Sequence, residues 1–375
     1  MSSVTLQIVP LRNCWTVNVD EDGKKFETGS QFVNNNDKKL EGIVIDQKIV
    51  PRCQITIAEG LYPLLASMKM FGLYFSPPLK DVAKDRKEKS WKWNAYIIYA
   101  VTIVVMLWIN AIRMFSAFAS GDEFGLLLFN KMVGVAWFIQ TAVSQTTFYA
   151  ASYSGRLAIV FNQLLDDDSC ESCARHARKF STLYAVVAWS ILVLCTLFTT
   201  YGSLFTDDGN DFYLAPFQNH IVVSNLLILR IVTCLVMFYV QAAYMFSLAT
   251  TFVLALIFSC QFKKVNEALK RLLDNDQRQV SETAIEMLRQ KHQQIAMNVS
   301  NVDDCLMFSN ASAFCCQVFA VIIFLYCLVF YRSAINDPVI ITAYVFTIST
   351  LSFGLFLTAA GGIIINHHVS RLDSI

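Results

Sequence analysis

From residue 94 onward the chain alternates between long apolar runs and short charged blocks. A helix needs roughly 20 apolar residues to cross the hydrocarbon core of a bilayer. Six runs meet that length: 94–118, 124–151, 180–202, 221–259, 306–331 and 339–365. The fourth is long enough to be mistaken for two spans. It holds no Gly and no Pro, so nothing in it favours a turn, and it predicts one helix whose lower half runs beyond the bilayer.

The positions of Lys and Arg orient these spans, because loops on the cytosolic side carry the excess of positive charge. The block before the first span, "KDVAKDRKEKSWK", is rich in Lys and Arg. The 152–179 connection, read as a loop, carries Arg156, Arg175, Arg178 and Lys179. The 260–305 connection carries Lys263, Lys264, Lys270, Arg271, Arg278, Arg289 and Lys291. By contrast "GSLFTDDGNDFYLAPFQNH" has no basic residue except His, and "RSAINDP" has only Arg332. The alternation predicts both termini in the cytosol, with Trp91 and Trp93 as an interfacial belt at the first crossing. Splitting the fourth run in two would put the 260–305 block outside, against that rule.

Two segments flank this pattern. Residues 1–58 are mostly polar and lack periodicity. They are expected to be a disordered cytosolic tail, with the membrane domain at 59–375. The tail has no basic start followed by an apolar core, so it is not read as a signal peptide. Within the 260–305 connection, residues 277–302 have a helical pattern, with Thr283 and Glu286 at capping-box spacing. Ile285, Leu288, His292, Ile295, Val299 and Val302 form an apolar stripe. The stripe fits either packing on the downward extension of the fourth helix or a seam between subunits.

Composition adds the class. Of 375 residues, 55% are hydrophobic and 16% charged, against about a quarter charged in soluble domains. The reading is an all-α, polytopic membrane helical bundle, multi-pass in the plasma membrane, with lipid as a partner. The net charge of +1 gives no reason to expect nucleic acid. Eleven cysteines are present, none in the segments placed outside. Cys195, Cys234, Cys315, Cys316 and Cys327 sit in apolar runs as small hydrophobes, so no disulfide framework is expected.

The candidate chemistry is sparse. "CESCARH" (170–176) has metal-ligand spacing but no second Cys/His pair nearby to complete four ligands, so no metal and no cofactor is expected. Asn298 and Asn310 match the glycosylation acceptor pattern but fall at or below the inner face. No nucleophile elbow, phosphate loop or intramembrane carboxylate pair appears, so enzymatic activity is not expected. Polar groups inside the spans carry more information, since each must face protein or water. Arg230 either snorkels outward past Asn225 or lines a cavity opening outward. Trp137 and Gln140, Thr199 and Tyr201, Tyr326 and Tyr331, and Tyr344 fall at comparable outer depths. An aromatic pocket with a few polar groups suits a small organic ligand. The expected ligand-binding residues are Trp137, Gln140, Tyr201, Asn225, Arg230, Tyr326 and Tyr344.

Three stretches resemble the insect and arthropod gustatory receptors, kin of the odorant receptors. "GLYPLLASMKMFGLYF" (60–75) is similar to that family's opening segment. "LRQKHQQIAMNVSNVDDCLMFSNASAFCCQVFAVIIFLY" (288–326) resembles the helix leading into its fifth span, and "AAGGIIINHHVSRLDSI" resembles the end of its sixth. The resemblance implies a taste receptor subunit of a ligand-gated cation channel, a tastant bound among the outer halves of the spans, and a homo- or hetero-tetramer with related subunits. It also implies a seventh, pore-lining helix with a Thr-Tyr/Gln-Phe signature. "TAYVFTISTLSF" (342–353) does not match that signature in spacing, so the chain is expected to stop short of the pore helix. The alternative is a six-span transporter or a non-conducting accessory membrane protein.

Overall fold

Inside a bilayer only a helix satisfies each backbone N–H and C=O within its own segment, and the apolar runs fold accordingly. The computed structural model describes residues 57–75, 89–116, 126–165, 171–205, 226–273, 282–330 and 338–370. They form eight helices: α1 (Ile57–Met70), α2 (Lys89–Ser116), α3 (Leu126–Tyr153), α4 (Arg156–Leu165), α5 (Glu171–Phe205), α6 (Leu226–Leu273), α7 (Glu282–Phe330) and α8 (Pro338–Ser370). The chain divides into two units, Met1–Arg52 and Cys53–Ile375, and every described residue belongs to the second. The expected tail therefore lies outside the described residues up to Ile57.

α6 is the axis of the bundle. It is a single uninterrupted helix of 48 residues, as the absence of Gly and Pro predicts. Its apolar window is 72% buried, against no more than 28% in any of the other apolar spans. α5 and α8 pack on it, α3 and α7 pack on each other beside it, and α2 closes over α3. At Gly361 of α8, a Cβ would come 3.3 Å from Ala255 Cβ, so the small residue lets α8 approach α6 closely.

Five described helices are long and apolar enough to cross a membrane: those holding Trp93–Phe115, Ala174–Tyr201, Leu227–Leu272, Thr283–Phe330 and Tyr344–Asn366. α3, which carries the second expected span, is 28 residues long and apolar on average, with several polar side chains along it. It turns Lys131, Gln140, Thr141, Ser144 and Gln145 into the protein, where neighbouring helices rather than lipid meet them. Ser144 Oγ, for example, lies 2.9 Å from Ser309 Oγ of α7.

α1 and the turn after it wedge between α3, α5 and α6. Phe71 is ringed by Trp189, Phe238, Tyr239 and Phe246, with centroids 5.3–5.9 Å away. The end of α1 leaves carbonyls that its own helix cannot satisfy. Side chains supply donors instead: Tyr99 Oη to Met70 O, Gln145 Nε2 to Phe71 O at 3.2 Å and Ser152 Oγ to Leu73 O at 3.3 Å. Gly72 makes the reversal at φ 69°, a left-handed conformation that glycine adopts freely.

Two expectations for the basic connections change. The 152–179 connection is largely helical rather than a loop, with α4 inside it and the first turns of α5 at its end. The described part of the "CESCARH" segment, 171–176, opens α5, where Ala174 and Ala177 pack on Gly60 of α1 and His176 lies against Phe180. In α7 the capping box does not form. The helix begins at Glu282, and Glu286 accepts from Arg289 Nε at 2.7 Å and Gln290 Nε2 at 3.0 Å. The stripe behind it packs on the extension of α6, the first of the two alternatives. Ile295 is buried in one core with Phe258, Phe262 and Val265, and His292 lies 5.1 Å from the Phe262 ring. Ile285 stands outside that contact, exposed. α7 then continues without a break into the fifth span, 49 residues in all.

Candidate functional site

Halfway through the bundle, side chains from α3, α6, α7 and α8 converge on Tyr244. The helical repeat sets Gln241 and Tyr244 on one side of α6, and Trp137 and Gln140 on one side of α3, since residues three apart share a face. Tyr244 is fully buried. Its ring meets Trp137 edge to face at 6.4 Å, and Gln317 Nε2 of α7 donates to its hydroxyl at 3.0 Å. Gly354 of α8 closes the group from the far side. A Cβ there would fall 2.7 Å from Tyr244 Oη and 3.0 Å from Gln317 Nε2. One turn away, Gln241 Nε2 donates to Thr199 Oγ1 of α5 at 3.0 Å, and its Oε1 accepts from Thr196 at 3.2 Å.

This polar group is not internally complete. Trp137 Nε1, Gln140 Nε2 and Gln317 Oε1 are buried without a hydrogen-bond partner. An orphaned buried donor or acceptor costs about 1–3 kcal/mol, so two of them flanking Tyr244 and a third one turn along α3 are a notable departure from ordinary core packing. Beside the polar group lies a small, largely apolar cleft between α5, α6 and α8, lined by Tyr184, Ile191, Met245, Leu248, Thr350 and Phe353 among others. Leu248 belongs to both, its Cδ2 lying 3.3 Å from the position of a Gly354 Cβ.

The sequence-predicted residues separate into three places. Trp137 meets the central group through the Tyr244 ring, Gln140 is buried one turn along α3 from it, and Thr199 borders the group through Gln241. Tyr344 is buried nearer the start of α8, donating to Asn130 Oδ1 of α3 and packing with Phe129 and Cys327. Tyr326 lies beside Phe129, with centroids 5.2 Å apart, and faces outward. Tyr201 is exposed on α5. Arg230, in the second described turn of α6, is half-buried with Nε lacking a partner. Asn225 and Tyr331 lie outside the described residues. Tyr244, Gln317 and Gly354 were not singled out, although Gln317 is an amide inside a span just as Gln140 is. Of the glycosylation candidates, Asn298 is buried and Asn310 Oδ1 accepts from Thr251.

No protein-family model matches the chain, and no curated protein matches it. Solved structures do. The structure of the insect olfactory receptor OR5 from Machilis hrabei superposes with a TM-score of 0.66 at 14% identity, covering 84% of this chain and 82% of that one. The fold is that of the insect olfactory receptors. The same receptor in complex with eugenol matches with a TM-score of 0.62 at 17% identity, covering 83% and 82%. The olfactory-receptor fold agrees with the receptor resemblance noted in residues 60–75, 288–326 and 359–375.

Proposed function

We propose that the chain is a chemosensory receptor subunit of the ligand-gated cation channel type, responding to a small organic molecule and acting as a receptor rather than an enzyme. The observation that carries this reading is the match over more than four-fifths of both chains to an insect olfactory receptor also solved with eugenol. The group around Tyr244 supplies a place for the ligand: aromatic, buried, and holding hydrogen-bonding atoms without partners. The sequence resemblance favours a taste receptor in a tetramer with related subunits. On this reading α3 is the second of six spans, the basic blocks face the cytosol, and residues 1–58 form a cytosolic tail in a plasma-membrane protein.

Two measurements test the proposal. Epitope tags at Met1 and after Ile375 should bind antibody only in permeabilised cells; surface labelling of either on intact cells overturns the orientation. Cells expressing the chain with related receptor subunits should show a cation current to members of a tastant panel that the partner subunits alone do not give. If the panel produces neither a current nor any binding to the purified chain, the receptor reading fails.

A further inference from the structure

The outward face of α5 changes character within one turn. Ala174, Ala177, Ser181, Ala185 and Leu192 turn into the protein. The opposite face exposes Tyr201, Leu197, Leu194, Val186 and Leu183. One turn nearer the start of the helix it exposes Lys179, Arg178 and Arg175 instead. No acidic residue lies between Glu171 and Asp207. From Lys179 to Tyr201 the helix rises about 33 Å, close to the roughly 30 Å of a hydrocarbon core. α2 marks the same two levels. Its Tyr96 and Phe115 are exposed, about 28 Å apart by the same rise, and Lys69 of α1 lies over the Tyr96 ring at 4.8 Å. The basic end of α5 therefore falls where lipid headgroups begin, the depth at which aromatic and basic groups gather.

We propose that this end of α5 is a docking surface for an anionic phospholipid. Arg175, Arg178 and Lys179 hold the phosphate and the acidic headgroup, and the acyl chains lie along Thr182, Leu183 and Val186. Among the described residues Arg178 and Lys179 form no ion pair, so both charges are open to a partner. Arginine presents a planar fork that matches phosphate oxygens, and lysine adds a point charge. The backbone from which they project is held in place: a Cβ on Gly60 of α1 would come 3.0 Å from Arg178 N, so α1 packs tightly against this turn. A lipid fits better than a soluble anion because the basic and apolar parts form one continuous face. A free anion would meet only the lower part, whereas a phospholipid meets both. The proposal rests on the receptor reading above only for its side of the membrane: in that orientation the leaflet is the cytosolic one, where anionic lipids concentrate.

The test uses the full chain in phosphatidylcholine nanodiscs doped with one photoactivatable lipid. The probe carries a diazirine near the top of an acyl chain, under either a phosphatidylserine or a phosphatidylcholine headgroup. Adducts are mapped by mass spectrometry on residues 182–186, with residues 105–112 of α2 as the reference. The serine probe should label 182–186 about tenfold more than the choline probe, since each Lys or Arg near an anionic surface is worth about fivefold. The two probes should label 105–112 alike. Combining Arg175→Gln, Arg178→Gln and Lys179→Gln should reduce the tenfold ratio to about twofold or less and leave labelling by the choline probe unchanged. If the triple variant fails to fold, the ratio on the wild-type chain still decides. Equal labelling of 182–186 by the two probes overturns the proposal, and is the result expected if Asp166, Asp167 and Asp168 neutralise the basic end. So does a ratio that survives the triple variant, or no labelling of 182–186 by either probe. Excess soluble glycerophosphoserine should leave the ratio intact; its loss would make this a site for a free anion and overturn the lipid. None of these results depends on a ligand-evoked current, so a failed receptor reading leaves them standing, and the epitope tags decide the leaflet separately.

Discussion

The Tyr244 hydroxyl on α6 and the Gln317 amide on α7 are 3.0 Å apart, and Gly354 of α8 lies against both. Three helices therefore share one contact, in which a Cβ on Gly354 has no room unless a neighbour moves. Gly354→Ala should destabilise the protein by about 1–3 kcal/mol, the usual effect of overpacking a filled core. Tyr244→Phe removes the atom 2.7 Å from the new methyl and should relieve part of that loss. Thermal unfolding of the two single variants and the double variant, read as a cycle, checks this. Strict additivity would mean that Gly354 and Tyr244 do not press on each other.

Two left-handed glycines should respond differently to the same change. Gly72 and Gly155 have φ of 69° and 74°, so Ala at either bears the left-handed penalty of about 1–2 kcal/mol. At Gly155 nothing lies within 4 Å of a Cβ, whereas at Gly72 Ile103 Cδ1 is 2.9 Å away and the Ala100 backbone 3.3 Å. Gly72→Ala should therefore lower the melting temperature clearly more than Gly155→Ala. Equal shifts would show that the α1 turn is free to move away from α2.

Ile295 anchors the lower half of α7 to α6. Truncating it to Ala should cost about 2–5 kcal/mol, the range for large-to-small changes in a core. Ile285→Ala, at an exposed position, should stay within about 0.5 kcal/mol. Hydrogen exchange reads the difference locally. Faster exchange in 282–302 is expected for the Ile295 variant, with the intramembrane part of α7 unchanged.

Arg230 carries a buried Nε without a partner near the start of α6. Arg230→Met should improve insertion of this span by up to about 2.5 kcal/mol, the mid-bilayer cost of Arg on biological scales. A glycosylation-mapping insertion assay with α6 as test segment measures it. If the variant instead loses binding of an acidic ligand while inserting as before, Arg230 is a ligand contact rather than a snorkelling anchor.

The helices were legible because hydropathy and basic blocks are properties of a whole segment, and a run such as 221–259 has only one comfortable state in lipid. The candidate site, as the structure assembles it, was legible in part. Trp137 and Gln140 stood out as polar-tipped side chains inside a span. Their partners did not, because Gln317 and Gly354 become a site only when α7 and α8 rotate those faces inward, and a helix with no strong amphipathic pattern does not announce its rotation. α3 shows the same effect in reverse. Its many hydroxyls and amides weaken it as a lipid-facing helix, yet they meet complementary groups on α1 and α7. Glu286 illustrates a local ambiguity: spacing alone could not choose between capping Thr283 and pairing with Arg289, three residues on.

α6 and α7 run as single rods from the membrane region into the segment below it, held together there by Phe262, His292 and Ile295. At 1.5 Å per residue a rod of this kind is about 72 Å long. Rotating it by about five degrees around one end displaces the other by about 6 Å, more than a full turn of helix rises. Lys270 and Arg271 stand about 40 Å beyond Tyr244 on the same uninterrupted helix, so a tilt of about five degrees pivoting beside Tyr244 would move that basic end by about 3.5 Å.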